Sequence, residues 1–288
     1  MSAASGTVAE SGVLYVVATP IGNLADLSAR AAGILGSVDL IAAEDTRRSG
    51  RLLQHLALQT PMIALHEHNE REQAPRLVEQ LRVGQSLAMI SDAGTPLISD
   101  PGFNLVRLAR QAGIRVVPVP GPSALLCALS AAGLPTDRFV FEGFLPARAS
   151  ARRARLEQLA DEPRTLVFYE SSHRIVDCLA DMVELFGGER PAVLARELTK
   201  QFETFIDAPL EELLQRVRSD ADQRKGEMVL LLHGCPAAAA HEVSAEAGRV
   251  LETLLEELPA GKAARLAARI TGVNKRALYE RALSLKGS

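Results

Sequence analysis

No apolar run in the 288 residues approaches the roughly 20 that a bilayer span requires. Stretches such as Met228 to Leu232 are far too short, so no membrane segment is expected. The N-terminal stretch Met1 to Ser11 lacks the basic start and apolar centre of a secretory signal, and is expected to be a frayed leader on a cytoplasmic protein. Cysteine is scarce. Cys127, Cys178 and Cys235 are odd in number and too far apart for a CxxC element, which points to reduced thiols rather than a disulfide framework. No GxGxxG follows a strand and no GxxxxGK precedes a Ser or Thr, so the two common nucleotide cradles are missing. His66 and His68 alternate along one strand face, but no third ligand accompanies them and no metal site is expected.

What is present is enough apolar content, 47%, for one large domain or two to three small ones. A net charge of -3 argues against a protein that coats nucleic acid indiscriminately, yet the charge is uneven. Residues 261–288 hold seven basic side chains (Lys262, Arg265, Arg269, Lys275, Arg276, Arg281, Lys286) against the single acid Glu280. A basic C-terminal appendage on an acidic body follows.

From residue 13 to about 118, short β-branched runs alternate with helical patterns, as a parallel sheet flanked by helices requires. The predicted strands are Val13 to Ala18, Leu40 to Ala43, Met62 to Leu65, Ser86 to Ile90 and Arg115 to Val117, with helices such as Ser28 to Leu35 and Phe103 to Ala112 between them. Gly113 sits where a helix C-cap glycine belongs. Pro118 to Pro122 continues neither strand nor helix comfortably and marks a junction before an apolar helix, Ser123 to Ala132. Beyond it, Phe139 to Phe144, Thr165 to Tyr169, Ala192 to Ala195, Phe202 to Ile206 and Met228 to Leu232 are strand-like, with two or three helices among them and an antiparallel hairpin around 192–206. These patterns predict α/β folding in two domains, 1–120 and 121–236, followed by a basic helical tail, 237–288. Pro236 and Ala237 to Ala240 serve as linker. In the tail, Ala247 to Leu258 and Lys262 to Ile270 have helical spacing, and Thr271 to Asn274 forms a turn with Asn274 as N-cap of a third helix ending at Leu285. Helix, glycine-containing turn and basic helix suit a helix-turn-helix, or equally a structural bundle with a solvated charged face.

The chemistry-bearing segments lie at strand ends. Ser91-Asp92-Ala93-Gly94-Thr95-Pro96 and the residues up to Gly102 follow a buried strand. In open α/β sheets ligands bind beyond the carboxyl ends of strands, and small residues let the backbone approach them. Thr19 to Asn23 and Gly121 to Ala124 can line the same crevice, Ser123 presenting helix N-terminal amides. Glu44, Asp45 and Asp100 are the nearby carboxylates able to accept a proton, although Asp45 also stands where a helix N-cap belongs.

Ala18 to Leu24, Ala43 to Arg47, Ser91 to Gly102, Pro120 to Ala124, Phe141 to Pro146, Tyr169 to Arg174 and Ala195 to Lys200 together resemble the ribosomal RNA small subunit methyltransferase I family, of the tetrapyrrole methylase superfamily. The resemblance runs in unbroken order from about residue 13 to 234, and the tail is similar to that family's helix-turn-helix segment. It implies two class III methyltransferase α/β domains, S-adenosylmethionine as cofactor, a homodimer, and 2′-O-methylation of a cytidine in the decoding region of 16S rRNA, free or within the small subunit. On this chain it implies cofactor contacts from Pro20, Ser91, Asp92, Ala93, Gly94, Thr95, Ser123, Ala124, Tyr169 and Met228. Methyl transfer from a sulfonium rests on positioning and water exclusion and calls for no metal. Glu44, Asp45 or Asp100 is the expected base. RNA phosphates call for cations, of which Arg47, Arg48, Arg148, Arg152, Arg153, Arg155, Arg174 and Lys200 are candidates. Two other functions suit the same scaffold: a tetrapyrrole methyltransferase and a non-enzymatic RNA-binding assembly factor.

Overall fold

The computed structural model describes residues 8–235, 245–273 and 275–286. The expected linker, Pro236 and Ala237 to Ala240, and the expected N-cap Asn274 lie outside the described residues.

The first sheet is built from β1 (Val13–Val17), β2 (Leu40–Ala43), β3 (Met62–Ala64), β4 (Leu87–Ile90) and β5 (Arg115–Val119), all parallel in the order β3-β2-β4-β1-β5. Its strands read as unbroken apolar runs because both faces are covered. Along β4, Ala88 and Ile90 pack on one face with helices α1 (Ala29–Ser37) and α2 (Thr46–His55), while Leu87 and Met89 pack on the other with α3 (Glu70–Arg82) and α4 (Phe103–Gln111). Ser28 caps α1 by accepting from the Ala31 amide, and Gly113, at φ 75°, closes α4. One expectation is corrected. β5 does not stop at Val117 but runs through Pro118 to Val119. It is an edge strand, so a residue without an N–H forfeits no ladder bond on its free side.

After β5 the chain crosses to a second sheet through α5 (Ala124–Ala131). This sheet has the order β6-β7-β10-β8-β9, with β6 (Phe139–Phe144) parallel to β7 (Thr165–Ser171) and the remaining pairs antiparallel: β8 (Pro191–Arg196), β9 (Thr204–Pro209) and β10 (Glu227–Leu232). The predicted hairpin is β8–β9, although its second strand begins at Thr204 rather than Phe202. One face packs on α6 (Ala149–Leu159), α7 (Ile175–Phe186) and α8 (Leu210–Ser219) around Phe168, Cys178 and Leu230. The other face packs on α5, and Ile21 from the loop after β1 joins that cluster. The two sheets therefore share an apolar seam.

The tail folds as α9 (Ala245–Glu257), α10 (Ala260–Thr271) and α11 (Lys275–Lys286) around a core of its own that includes Leu251, Ala263, Ala267 and Leu278. Pro259 separates the first two helices, and Gly272, left-handed at φ 73°, ends α10. Among the described residues no helix is long and apolar enough to cross a membrane.

Candidate active site

Three loops at the carboxyl end of the parallel sheet are tied to one another. Thr19 and Gly94 exchange backbone hydrogen bonds of 2.9 and 3.0 Å, the Thr19 hydroxyl donates to Ser91 O at 3.3 Å, and the Thr95 hydroxyl donates to Pro122 O at 3.0 Å. Gly94 holds φ at +84°, and a Cβ there would sit 3.3 Å from Ile21 Cγ2. Leu97 and Ser99 also have positive φ, so the loop after β4 carries backbone strain of the kind that clusters at ligand sites. Across from it, Tyr169 of β7 accepts a hydrogen bond from the Leu125 amide at 3.2 Å, in the first turn of α5. Burial raises the Tyr169 pKa and keeps the phenol neutral.

Between the sheets these parts enclose a cleft of about 410 Å³, within the range of small-molecule sites. The structure brings Ala93, Gly94, Thr95, Ser123, Ala124, Tyr169 and Met228 together in its wall. Ser123 makes no side-chain cap, and the Tyr169 hydroxyl takes up the Leu125 amide, so the start of α5 lies at the cleft with one first-turn amide already engaged. Pro20 and Ser91 do not line it. Asp92 turns away: its carboxylate accepts from the Asp45 amide and pairs with Arg48 at 3.0 Å.

The three carboxylates separate clearly. Asp45 caps α2 through the Arg47 amide and pairs with the Arg47 side chain, which holds its carboxyl well below the usual range. Glu44 accepts from the Asp92 amide at 3.2 Å, and burial raises its pKa, with Asp92 adding to the rise. Asp100 alone lines the cleft. Burial pushes it up to about 6, the Ser91 hydroxyl partly offsets this, and the charges of Glu44 and Asp92 add to the rise.

The cations divide in the same way. Arg152, expected on the RNA path, is instead buried, its side chain 6% exposed and paired with Asp181 at 2.7 Å, out of reach of a phosphate. Arg153 pairs with Asp181 and Glu184, and Arg155 with Glu142. Arg174 lies 3.4 Å from the fully buried Glu170 and donates to Leu145 O and Pro146 O at 2.7 and 3.2 Å, a clamp on the turn after β6. Lys200 lies against Gly22 and between Glu197 and Glu227, bridging the rims of the cleft. Arg47 and Arg48, 90% and 70% exposed, make only surface pairs, and Arg148 is exposed at the start of α6.

Ile98, Ser99, Phe144, Ser171 and Ser172 line the cleft from within the matching segments but are not among the expected contacts, and Glu227 lines it from outside those segments. Besides its place in the Phe141 to Pro146 segment, Phe144 carries a physical signal in the preceding glycine, since a glycine inside a strand pattern marks a bulge that re-aims its neighbours. Buried Arg196 is a scaffold with no local signal in the sequence: it donates to the carbonyls of Asp222 and Lys225 and so fixes the turn before β10.

Residues 13–214 match the family model described as Tetrapyrrole (Corrin/Porphyrin) Methylases, and residues 241–286 match the RsmI C-terminal HTH domain. The ribosomal RNA small subunit methyltransferase I of Pseudomonas aeruginosa is 60% identical over 278 residues, covering 96% of this chain and 99% of that protein. The chain belongs to the ribosomal RNA small subunit methyltransferase I family. Its namesake from Escherichia coli O157:H7 is 56% identical, with 96% of each chain covered. Among solved structures, a uroporphyrin-III C-methyl transferase from Thermus thermophilus complexed with S-adenyl homocysteine is 21% identical, with a TM-score of 0.53 over 76% of this chain and 96% of that one. Diphthine synthase is 13% identical, with a TM-score of 0.56 over 77% and 89%. Those two likenesses show the fold. The rRNA methyltransferase I family thus places a tetrapyrrole-methylase body and a helix-turn-helix tail in one chain.

Proposed function

We propose that this chain transfers a methyl group from S-adenosylmethionine to the ribose 2′-hydroxyl of a cytidine in the decoding region of 16S rRNA. The observation that carries the proposal is the cleft. It joins a strained small-residue loop and an open helix start, which suit a methyl donor, to a single carboxylate raised to about 6. The cofactor fits the donor set: Gly94 allows close backbone approach, Ile21 and Met228 give an apolar wall, and the N-terminus of α5 at Ser123 and Ala124 suits its carboxylate. When bound it supplies a methyl group on a sulfonium.

The residues do the rest. A ribose hydroxyl is a weak nucleophile, and Asp100 is placed to accept its proton as the new bond forms. Burial keeps that carboxylate basic, the charges of Glu44 and Asp92 add to the effect, and with a pKa of about 6 Asp100 is ionised at neutral pH. The seam around Ile21, Leu125 and Leu198 excludes water and holds both sides of the cleft in register. Arg47, Arg48, Arg148 and the exposed tail cations Lys262, Arg265, Arg269, Lys275 and Arg281 supply phosphate contacts. Identities of 54–60% to several ribosomal RNA methyltransferases favour RNA over a tetrapyrrole. The large apolar side chains left open on α4 and α5, Phe103 and Leu126, suit a homodimer contact, and a cytoplasmic location follows the ribosomal substrate.

Labelled S-adenosylmethionine offered with assembled small subunits, naked 16S rRNA or a precorrin tests the proposal. Label is expected in base-resistant 2′-O-methylcytidine. Label on the precorrin, or binding without transfer, overturns it.

A further inference from the structure

The cleft contains a large side chain that the cofactor contacts do not use. Phe144, the last residue of β6, is 56% exposed at the cleft mouth. An exposed phenylalanine alone means little, but this one is built into place from three sides. Its ring stands edge-on to Tyr169 with centroids 5.6 Å apart and planes at 63°, and Phe141 packs edge-on to the same tyrosine at 4.9 Å. The β6–β7 register shifts between Phe141 and Gly143, so the strand bulges immediately before Phe144. After it, the Glu170–Arg174 pair holds the carbonyls of Leu145 and Pro146. An aromatic ring is thus presented to solvent on a rigid mount.

Its neighbour across the cleft gives the ring a purpose. Gly143, at φ +64°, leaves room for the loop after β4: a Cβ on it would fall 2.7 Å from Ser99 Oγ. Ser99 immediately precedes Asp100, and Gly143 immediately precedes Phe144. The ring and the carboxylate therefore flank one point of contact between the two sheets, and both line the cleft. We propose that Phe144 is the stacking platform for the base of the acceptor nucleotide, delivering its ribose 2′-hydroxyl to Asp100. Proteins that recognise RNA commonly take an unstacked base from a loop or bulge and stack it on an aromatic side chain. The assignment rests on the rRNA methyltransferase function proposed above.

Phe144→Ala, Phe144→Leu and Phe144→Trp in the full chain test it, read by affinity for S-adenosylhomocysteine and by methylation of assembled small subunits. Phe144→Ala is expected to lower kcat/KM for subunits about 10- to 100-fold, the loss of one base–aromatic stack, with cofactor affinity unchanged. Phe144→Trp should recover most of the rate, and Phe144→Leu, of similar bulk but without a π face, should not. Equal activity of the Leu variant and wild type, or a parallel fall in cofactor affinity, overturns the platform. Wild-type chain that moves no label to subunit RNA overturns the proposed activity and the platform together. Wild-type activity with indifference to residue 144 overturns the platform alone.

Discussion

At Asp100 burial and neighbouring charge raise the carboxyl from 3.8 to about 6, so between those values the folded chain binds a proton that the unfolded chain does not. Its contribution to stability is then favourable at low pH and is lost as pH rises through that window. Asp100→Asn should accordingly raise Tm at pH 8, with the difference closing toward pH 4 in thermal melts. The same substitution should lower the single-turnover methylation rate about 100-fold or more, and the wild-type rate should fall as pH drops below about 6. A rate profile flat from pH 5 to 8 would remove Asp100 as base. The arginines give a second contrast. Arg152→Ala leaves Asp181 with Arg153 as its remaining partner and should cost about 2 kcal/mol in denaturant unfolding, the loss of a charged hydrogen bond at a buried position. Arg148→Ala, at an exposed position, should leave stability unchanged and weaken RNA binding. The sequence shows both as members of one basic cluster, because a carboxylate about 30 positions away, Asp181, decides which of them is withheld from ligands.

Among the elements, the loop from Ser91 to Gly102 has most of its signal in composition. Small residues after a buried strand mark a place where backbone meets ligand, and the loop does line the cleft through Ala93, Gly94 and Thr95. Its conformation is another matter: the exchange of bonds between Gly94 and Thr19 joins segments separated by some 75 positions. Gly94→Ala forces a side chain into left-handed backbone and toward Ile21, and should cost about 1–2 kcal/mol. Calorimetric titration with S-adenosylhomocysteine should show weakened binding, whereas Gly113→Ala, with open space around its Cβ, should leave affinity as it is. Helix ends were legible for the same local reason that loops were: Ser28, Asp45 and Gly113 act within a few residues of themselves. Pro118 was not, since a proline is tolerated or refused according to whether its strand is central or at an edge.

Over the whole molecule, charge and core are divided. The tail closes its own apolar core and carries Lys262, Arg265, Arg269, Lys275 and Arg281 on its surface. Truncation at about residue 240 should leave cofactor binding intact while reducing the salt dependence of RNA affinity, measured as the slope of log affinity against log salt. Equal slopes for the full and shortened chains would remove the tail from the RNA surface. By itself the sequence determined the α/β class, nearly all the strands, the loops that border the cleft and the family, because periodicity, caps and small-residue loops are local properties written over a few residues. Only the tertiary structure decided that Asp100 rather than Glu44 or Asp45 lines the cleft, that Arg152 and Arg174 are structural clamps, and that Phe144 lines the same cleft as that carboxylate. Those outcomes depend on burial and on pairing between residues far apart in the chain, which no local pattern encodes.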